Sequence, residues 1–289
     1  NNLELYTSSG VNSVSKLYDL TGRGKFAVQP DFSRYPTYNL TAINGMPGMY
    51  FDGNDDFLYT NISTGISSTQ LTYYGVIKRV SYQQYKAWLA GVESGAADTN
   101  GKSFIAGLED DAATYRDYAL GYKSTATPKP DFTKPFVSSG IYDGSNNTIY
   151  INGVSYPPVA MTTALKPDNV YLGSRSWQPG YSNSYIGEVL MFDVALSTQD
   201  RYIVDQYLGN KWGIDMDTDS DGVINRLDQY PTDNLRSIDS VYPQQFNLLS
   251  TAARNAMQLW FDASNAYSIS KDSVTNQVQY WIDFSSKGR

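Results

Sequence analysis

The chain has 289 residues, a net charge of −7 and neither cysteine nor histidine. Disulfides, thiolate metal sites and Ser-His-Asp or Cys-His catalysis are therefore excluded, and the acidic balance speaks against nucleic acid or an anionic membrane as partner. Tyrosine is abundant at 25 and charged side chains are sparse, as on a β-rich extracellular surface that faces sugars or proteins. No apolar run approaches the roughly 18 residues that cross a bilayer, so no membrane insertion is expected. The chain opens on Asn1 without a signal-like segment and is expected to be an internal piece of something longer.

Residues 1–25 are best understood beside the far end of the chain. Asp19 aligns with Asp283 at an offset of 264 residues, and Asn12/Asn276, Val14/Val278 and Gly24/Gly288 coincide without a gap. This implies a diverged tandem repeat of about that length. The strand-like Met257–Ala263 segment precedes Asn265 but has no counterpart before Asn1. The first module is thus expected to lack its opening strand, and Leu259, Trp260, Phe261 and Asp262 form a candidate strand-donation segment, in cis or from a neighbour.

Asn44-Gly45 and Gly53 mark turns around short strands. Strand patterns follow at Leu71–Val80, Ala87–Val92, Phe104–Leu108, Tyr115–Tyr122, Phe136–Tyr142, Thr148–Ile151, Val170–Leu172 and Tyr185–Phe192. Turn signals separate them, notably Asp143-Gly144 and Asn152-Gly153. Such spacing predicts a sandwich. Ser197-Thr198-Gln199-Asp200 then opens one helix with a capping pattern, Tyr202, Ile203, Tyr207 and Leu208 lie at helical spacing, and Gly209 is a natural stop.

The acidic run Asp215–Asp228 comes next. With Asp217 at loop position 1, acids fall at 3 and 5 (Asp219, Asp221), Gly222 at 6, Val223 at 7, Asn225 at 9 and Asp228 at 12. Ca²⁺ takes about six to eight oxygens, which three side chains, the Val223 carbonyl, Asn225 directly or through water, and Asp228 can supply. Asp215 and Asp233 are further candidate ligands. Asp52, Asp55 and Asp56 form a second, smaller acidic group.

The stretch from Asp215 to Asp233 resembles a thrombospondin type 3 repeat, with Tyr230 where the animal repeats carry cysteine. That resemblance implies a calcium-stiffened connector without disulfides. Asp143-Gly144 with Tyr150–Val154, Tyr171–Ser174, Tyr185–Ser197 and Lys211-Trp212-Gly213 resemble laminin G-like, concanavalin A-like jelly rolls. The resemblance implies an all-β sandwich with one short helix over 1–213, an acidic calcium-loop linker over 214–240, and a linker plus the first strands of the next repeat over 241–289.

Concanavalin A-like folds include glycanases, which need two facing carboxylates. Only four glutamates are present (Glu4, Glu93, Glu109 and Glu188), and Glu188 falls on a structural strand, so catalysis is not expected. Aromatic loops around Tyr85 and Trp88, and around Trp177 and Tyr181, either cap the sandwich core, the favoured reading, or serve as candidate ligand platforms for glycans or surface proteins. The reading reached from sequence is a Ca²⁺-stabilised structural or adhesive repeat of an extracellular fibre or surface adhesin, partnered by its own copies. The alternative is a lectin-like binding module.

Overall fold

The computed structural model describes residues 2–61, 69–82, 84–93, 103–109, 114–119, 123–128, 130–161, 164–175, 180–228, 231–234, 257–262, 269–271 and 278–281. In chain order the strands are β1 (Leu3–Ser8), β2 (Val11–Tyr18), β3 (Phe26–Val28), β4 (Thr37–Ile43), β5 (Met46–Asp52), β6 (Leu58–Asn61), β7 (Leu71–Arg79), β8 (Leu89–Val92), β9 (Phe104–Glu109) and β10 (Thr114–Ala119). They continue as β11 (Lys123–Pro128), β12 (Phe136–Tyr142), β13 (Asn146–Ile151), β14 (Val154–Ser155), β15 (Val159–Ala160), β16 (Asn169–Leu172) and β17 (Asn183–Phe192). The helix α1 (Thr198–Trp212) comes after them, and β18 (Met257–Asp262), β19 (Ile269–Lys271) and β20 (Val278–Trp281) close the series.

All pairings among the described residues are antiparallel, and those of β1 to β18 form two layers. The front sheet runs β13-β12-β7-β17-β5-β4, with β18 also beside β17. The back sheet runs β1-β2-β3-β6-β16-β8-β9-β10-β11. Among the described residues a single pair, Ser13 with Thr37, joins the two sheets. This is an all-β sandwich of jelly-roll type, as the strand spacing predicts.

The strand β7 reads almost continuously apolar because it is buried on both faces. Tyr73 and Ile77 point into the core between the sheets, with Leu17, Phe51, Trp88, Phe104 and Met191. Tyr74 and Val76 face the other way and pack with Val137, Leu190 and Phe192 against Tyr202, Val204, Leu208 and Trp212 of α1. The back sheet's outer face carries a third cluster built on Phe57, Tyr171 and Tyr181.

Turns obey their residue types. Asn44-Gly45, Asn152-Gly153 and Ser9-Gly10 each hold two consecutive positive φ angles, as a two-residue hairpin of type I′ needs. Ser197 caps α1 by accepting the Asp200 N–H at 3.1 Å, while its hydroxyl donates to Asp200 Oδ2. Gly209 does not end the helix. The helix continues to Trp212 and stops at Gly213, whose φ of 64° lets its N–H reach the Gly209 carbonyl. Gly209 is small for a different reason, since a Cβ there would stand 2.7 Å from the Ile214 carbonyl and 2.8 Å from Met216 Cγ.

One buried acid links the layers of the α1 side. Glu188 accepts hydrogen bonds from Tyr207 Oη and Trp212 Nε1, each at 2.8 Å, and its carboxylate lies 3.3 Å from Lys211 Nζ. The Trp212 ring lies over Gly187, where a Cβ would approach it to 2.4 Å. A second buried acid, Asp117, accepts from Gly107 N–H at 2.8 Å and from the Tyr73 hydroxyl.

These two acids make testable demands on stability. Trp212→Ala should destabilise the fold by about 3–5 kcal/mol in urea unfolding, since it opens a large cavity and removes a donor from Glu188. A change below about 1 kcal/mol would mean that α1 is not seated as described. Burial pushes the Asp117 carboxyl up to about 7, above the ordinary value of 3.8. The folded state therefore holds this proton more tightly, and its stabilising effect disappears as pH rises from about 4 through 7. Asp117→Asn should flatten that decline in melting temperature; an unchanged pH profile would place the dependence elsewhere.

Candidate metal centre

The acidic loop is fastened to the sandwich on several sides. Ile214 and Met216 extend the α1-side core, drawing the chain back over the helix directly after Gly213. Asp217 N–H donates to the Asn152 carbonyl at 2.8 Å, and the loop backbone lies so close to Gly153 that a Cβ there would meet the Asp217 carbonyl at 2.7 Å. The Asn152-Gly153 turn thus serves both the hairpin and the loop. Buried Arg201 of α1 donates to the carbonyls of Gly153 (2.9 Å) and Thr218 (3.1 Å), pairs with Asp205 at 3.8 Å and rests on the Tyr150 ring. Thr218 Oγ1 donates to Asp205 Oδ2 at 2.8 Å.

Within the loop, local bonds turn the carboxylates inward. Asp217 accepts from Ser220 N–H (2.8 Å) and Gly222 N–H (3.1 Å), Asp219 from Asp221 N–H (3.3 Å), and Asp221 from Val223 N–H (2.7 Å). Gly222 at φ 94° and Ser220 at φ 66° make the tight reversal. Asp217, Asp219 and Asp221 each offer an oxygen within 4.8 Å of the others. The buried Oδ2 atoms of Asp219 and Asp221 have no hydrogen-bond partner. Burial first, then the Asp221 charge, push the Asp219 carboxyl up to about 6. Asp217 is also raised, chiefly by burial. Such crowded oxygens fit a hard divalent cation.

The remaining loop candidates take different positions. Asp228 is buried beneath the loop. Asn225 is buried too, but its Oδ1 accepts the Thr218 N–H at 2.8 Å and its Nδ2 donates to Thr218 Oγ1 at 2.7 Å. It therefore holds the loop's shape from beneath. Asp215 is exposed and pairs with Arg226 at 2.8 Å, which uses its carboxylate on the surface. Val223 and Asp233 are half-buried, and residues 229 and 230 between them lie outside the described set.

A second acidic group, Asp52, Asp55 and Asp56, likewise brings three oxygens within 4.8 Å. Asp56 accepts from Asp52 N–H at 3.1 Å, and burial followed by the Asp52 charge raises its carboxyl to about 7. This turn leads into an aromatic set on the back sheet's outer face. Phe57 stacks on Tyr181 with ring centres 6.0 Å apart, and Tyr59 on Tyr171 at 6.1 Å. Sequence reasoning missed Phe57, Tyr59 and Tyr171, because only the pairing of β6 with β16 sets Tyr59 opposite Tyr171.

The aromatic candidates divide. Trp88 is not a surface platform: it is fully buried between the sheets and donates Nε1–H to Tyr115 Oη at 2.8 Å. Tyr181 is buried in the outer aromatic set, and Tyr85 is 48% exposed on a turn with φ 60°. Trp177 lies outside the described residues. Leu259–Asp262 belong to β18 and pair with β17, Asp262 opposite Glu188 and Leu259 opposite Met191. Among the described residues no helix is long and apolar enough to cross a membrane.

No family model and no curated protein matches the chain. Solved structures do. Domain 4 of AbnA, a GH43 extracellular arabinanase from Geobacillus stearothermophilus in complex with arabinotriose, is 15% identical over 56% of this chain and 77% of that one, with a TM-score of 0.44. The receptor binding domain of botulinum neurotoxin D is 15% identical over 71% of this chain, with a TM-score of 0.49. Trypanosoma rangeli sialidase in complex with sialic acid is 12% identical over 72% of this chain, with a TM-score of 0.50. The chain spans 52% of the toxin chain and 32% of the sialidase chain. At these identities the likeness is one of fold, the sandwich described above.

The fastening of the loop yields a direct test. Thr218→Val removes the hydroxyl that joins Asp205 to Asn225, leaving buried polar atoms without their bond. It should cost about 1–3 kcal/mol in chemical unfolding and expose residues 214–228 to limited proteolysis. Unchanged stability and protection would mean that the loop is held by its apolar anchors alone.

Proposed function

We propose that the chain is a calcium-stabilised β-sandwich module of an extracellular protein, adhesive in role, with carbohydrate as its ligand class. The observation that carries this reading is the crowding of Asp217, Asp219 and Asp221, with buried Oδ2 atoms on Asp219 and Asp221 that lack hydrogen-bond partners. Asp217, Asp219, Asp221 and Asp228 would hold Ca²⁺, with the Val223 carbonyl as a backbone ligand. Bound there, the ion would neutralise carboxylates that otherwise repel. Asn225, Thr218, Asp205 and Arg201 would fix the loop against α1 and the Asn152-Gly153 turn.

For the ligand, the back sheet's outer face is the stronger candidate. Phe57, Tyr59, Tyr171 and Tyr181 form a continuous aromatic set, in which Phe57, Tyr171 and Tyr181 are buried and the partly exposed Tyr59 would be the ring on which a sugar's apolar face stacks. The Asp52–Asp56 turn at its margin offers acceptors for hydroxyl groups. Binding is favoured over catalysis because Glu188 already serves Tyr207, Trp212 and Lys211 inside the fold. A second reading, a repeat of an extracellular fibre, is favoured by the pairing of β18 with β17.

The deciding measurement is thermal unfolding in millimolar calcium and in chelator, for the wild type and for Asp219→Asn with Asp221→Asn. Calcium at about 100 times its Kd should stabilise the wild type by about 2.7 kcal/mol and leave the double variant unmoved. Equal melting of the wild type in both conditions would remove calcium from the reading. A glycan panel should then give binding that Tyr59→Ala and Tyr171→Ala both weaken. Retained binding in both would move the ligand off this face.

A further inference from the structure

The two flanks of β17 are closed differently. Along one flank β7 pairs with it from Ser184 to Phe192, with a bulge between Ile186 and Val189. The other flank is divided. Asn183–Ile186 lie against β5, and Glu188–Phe192 lie against β18. The division has a covalent cause. The β5 ladder ends at Met49 opposite Ile186, and two residues upstream in β5 is Pro47, which has no N–H to extend it. The five residues Glu188–Phe192 are all buried, so their backbone groups on this flank need a partner strand.

The strand that supplies it belongs by sequence to the next repeat. Shifted by 264 residues, β19 falls within β1 and β20 within β2, and each pair forms an antiparallel hairpin. Their registers differ: Leu5 faces Val14 in the first, whereas Ile269 faces Trp281 in the second. The sequences of the two connections differ as well. Gly10 sits at φ 80° in the first hairpin, and the sequence has Val274 at the corresponding place, outside the described residues. Thus β18 is the strand immediately before the second hairpin, yet it pairs with the front sheet of the preceding sandwich. The hairpin β19-β20 forms a sheet of its own, apart from that sandwich among the described residues.

We propose that Met257–Asp262 is an exchangeable strand, and that the Glu188–Phe192 flank accepts it from a second copy of this chain as well as from its own. The bonds of such a ladder are made by backbone groups and require no covalent continuity between donor and acceptor. Donor and acceptor are different surfaces of one chain, so exchange makes a head-to-tail contact that extends into a linear array. This deepens the fibre reading but is independent of calcium and of glycans, so the test is run in chelator.

The absence of native cysteine makes the test clean. Val189 and Phe261 are direct partners, and opposed residues of an antiparallel pair lie about 4.5–5.5 Å apart, within disulfide reach. Full-length Val189→Cys and Phe261→Cys variants, tagged differently, are unfolded, mixed, refolded at high concentration and oxidised. The expected product is a mixed disulfide dimer, several-fold above that from Phe261→Cys with Leu5→Cys. The chain carrying both substitutions should give an internally bridged monomer when dilute and a ladder of oligomers when concentrated. An internal bridge at every concentration, with no mixed dimer, overturns exchange between copies; no bridge at all overturns the pairing itself. Without cysteines, concentration-dependent sedimentation of the wild type should be lost in Leu259→Pro. A wild type that sediments as a monomer at every concentration overturns the proposal.

Discussion

The carboxylate of Glu188 is the constraint from which the rest of the molecule is hung. An acid at the centre of a sheet is expensive to bury unless donors surround it, and here two hydrogen bonds and a lysine do so. All three partners come from the last two turns of α1. Satisfying Glu188 therefore fixes where the helix ends, and the Trp212 ring can lie flat only because residue 187 is glycine. The bulge in β17 falls at the same place, and there its partner changes from β5 to β18. Helix, sheet and ladder are decided at one pair of residues.

The chain beyond the helix inherits that position. Gly213 turns it back, Ile214 and Met216 drop into the core beside α1, and the acidic loop arrives against the Asn152-Gly153 turn. A connector of this composition would ordinarily be a tether between bodies. Here Arg201 and Thr218 make residues 214–228 part of the sandwich, so an ion in the loop would act on the module's own stability more than on a joint. The network beneath the loop is neutral as a pair, Arg201 with Asp205, while the loop itself gathers like charges. That contrast leaves the mutual repulsion of Asp217, Asp219 and Asp221 uncompensated by any charge beneath them.

Much of this was legible in the residues, for reasons that can be named. Leu71–Val80 and Phe136–Tyr142 are recognisable because both faces of central strands are apolar, and the two Asn-Gly turns announce their own geometry. Gly209 misled because glycine signals both a helix end and a close approach, and only the returning Met216 distinguishes them. Trp88 has the turn-rich flanks of a surface loop, but of the two readings open to it the core one holds, since β7 and β9 enclose it from either side. In the loop, spacing singles out Asp217, Asp219 and Asp221, which do lie together, but not the hydrogen bonds of their neighbours. Asn225 is taken by Thr218 and Asp215 by Arg226, and neither competition is written in a ligand pattern. β1 to β4 lack clean alternation because their exposed residues include Leu5, Val11, Phe26 and Leu40.

The two sides of the sandwich are unequal, and the inequality bears on where a ligand could sit. The front sheet's outer face is covered by α1, whose residues meet Tyr74, Val76, Val137, Leu190 and Phe192, and the acidic loop borders it. The back sheet's outer face carries no helix among the described residues. Its apolar surface is covered by its own rings: Phe57 shields Tyr181, Tyr59 shields Tyr171, and Lys16 lies over Tyr18 and Phe26. Rings stacked in this way bury most of one another's area, so that Phe57, Tyr171 and Tyr181 are each less than a tenth exposed while Tyr59 stays partly open. A face arranged in this way shields its own apolar area, whereas the front sheet's outer face needs α1 to do so.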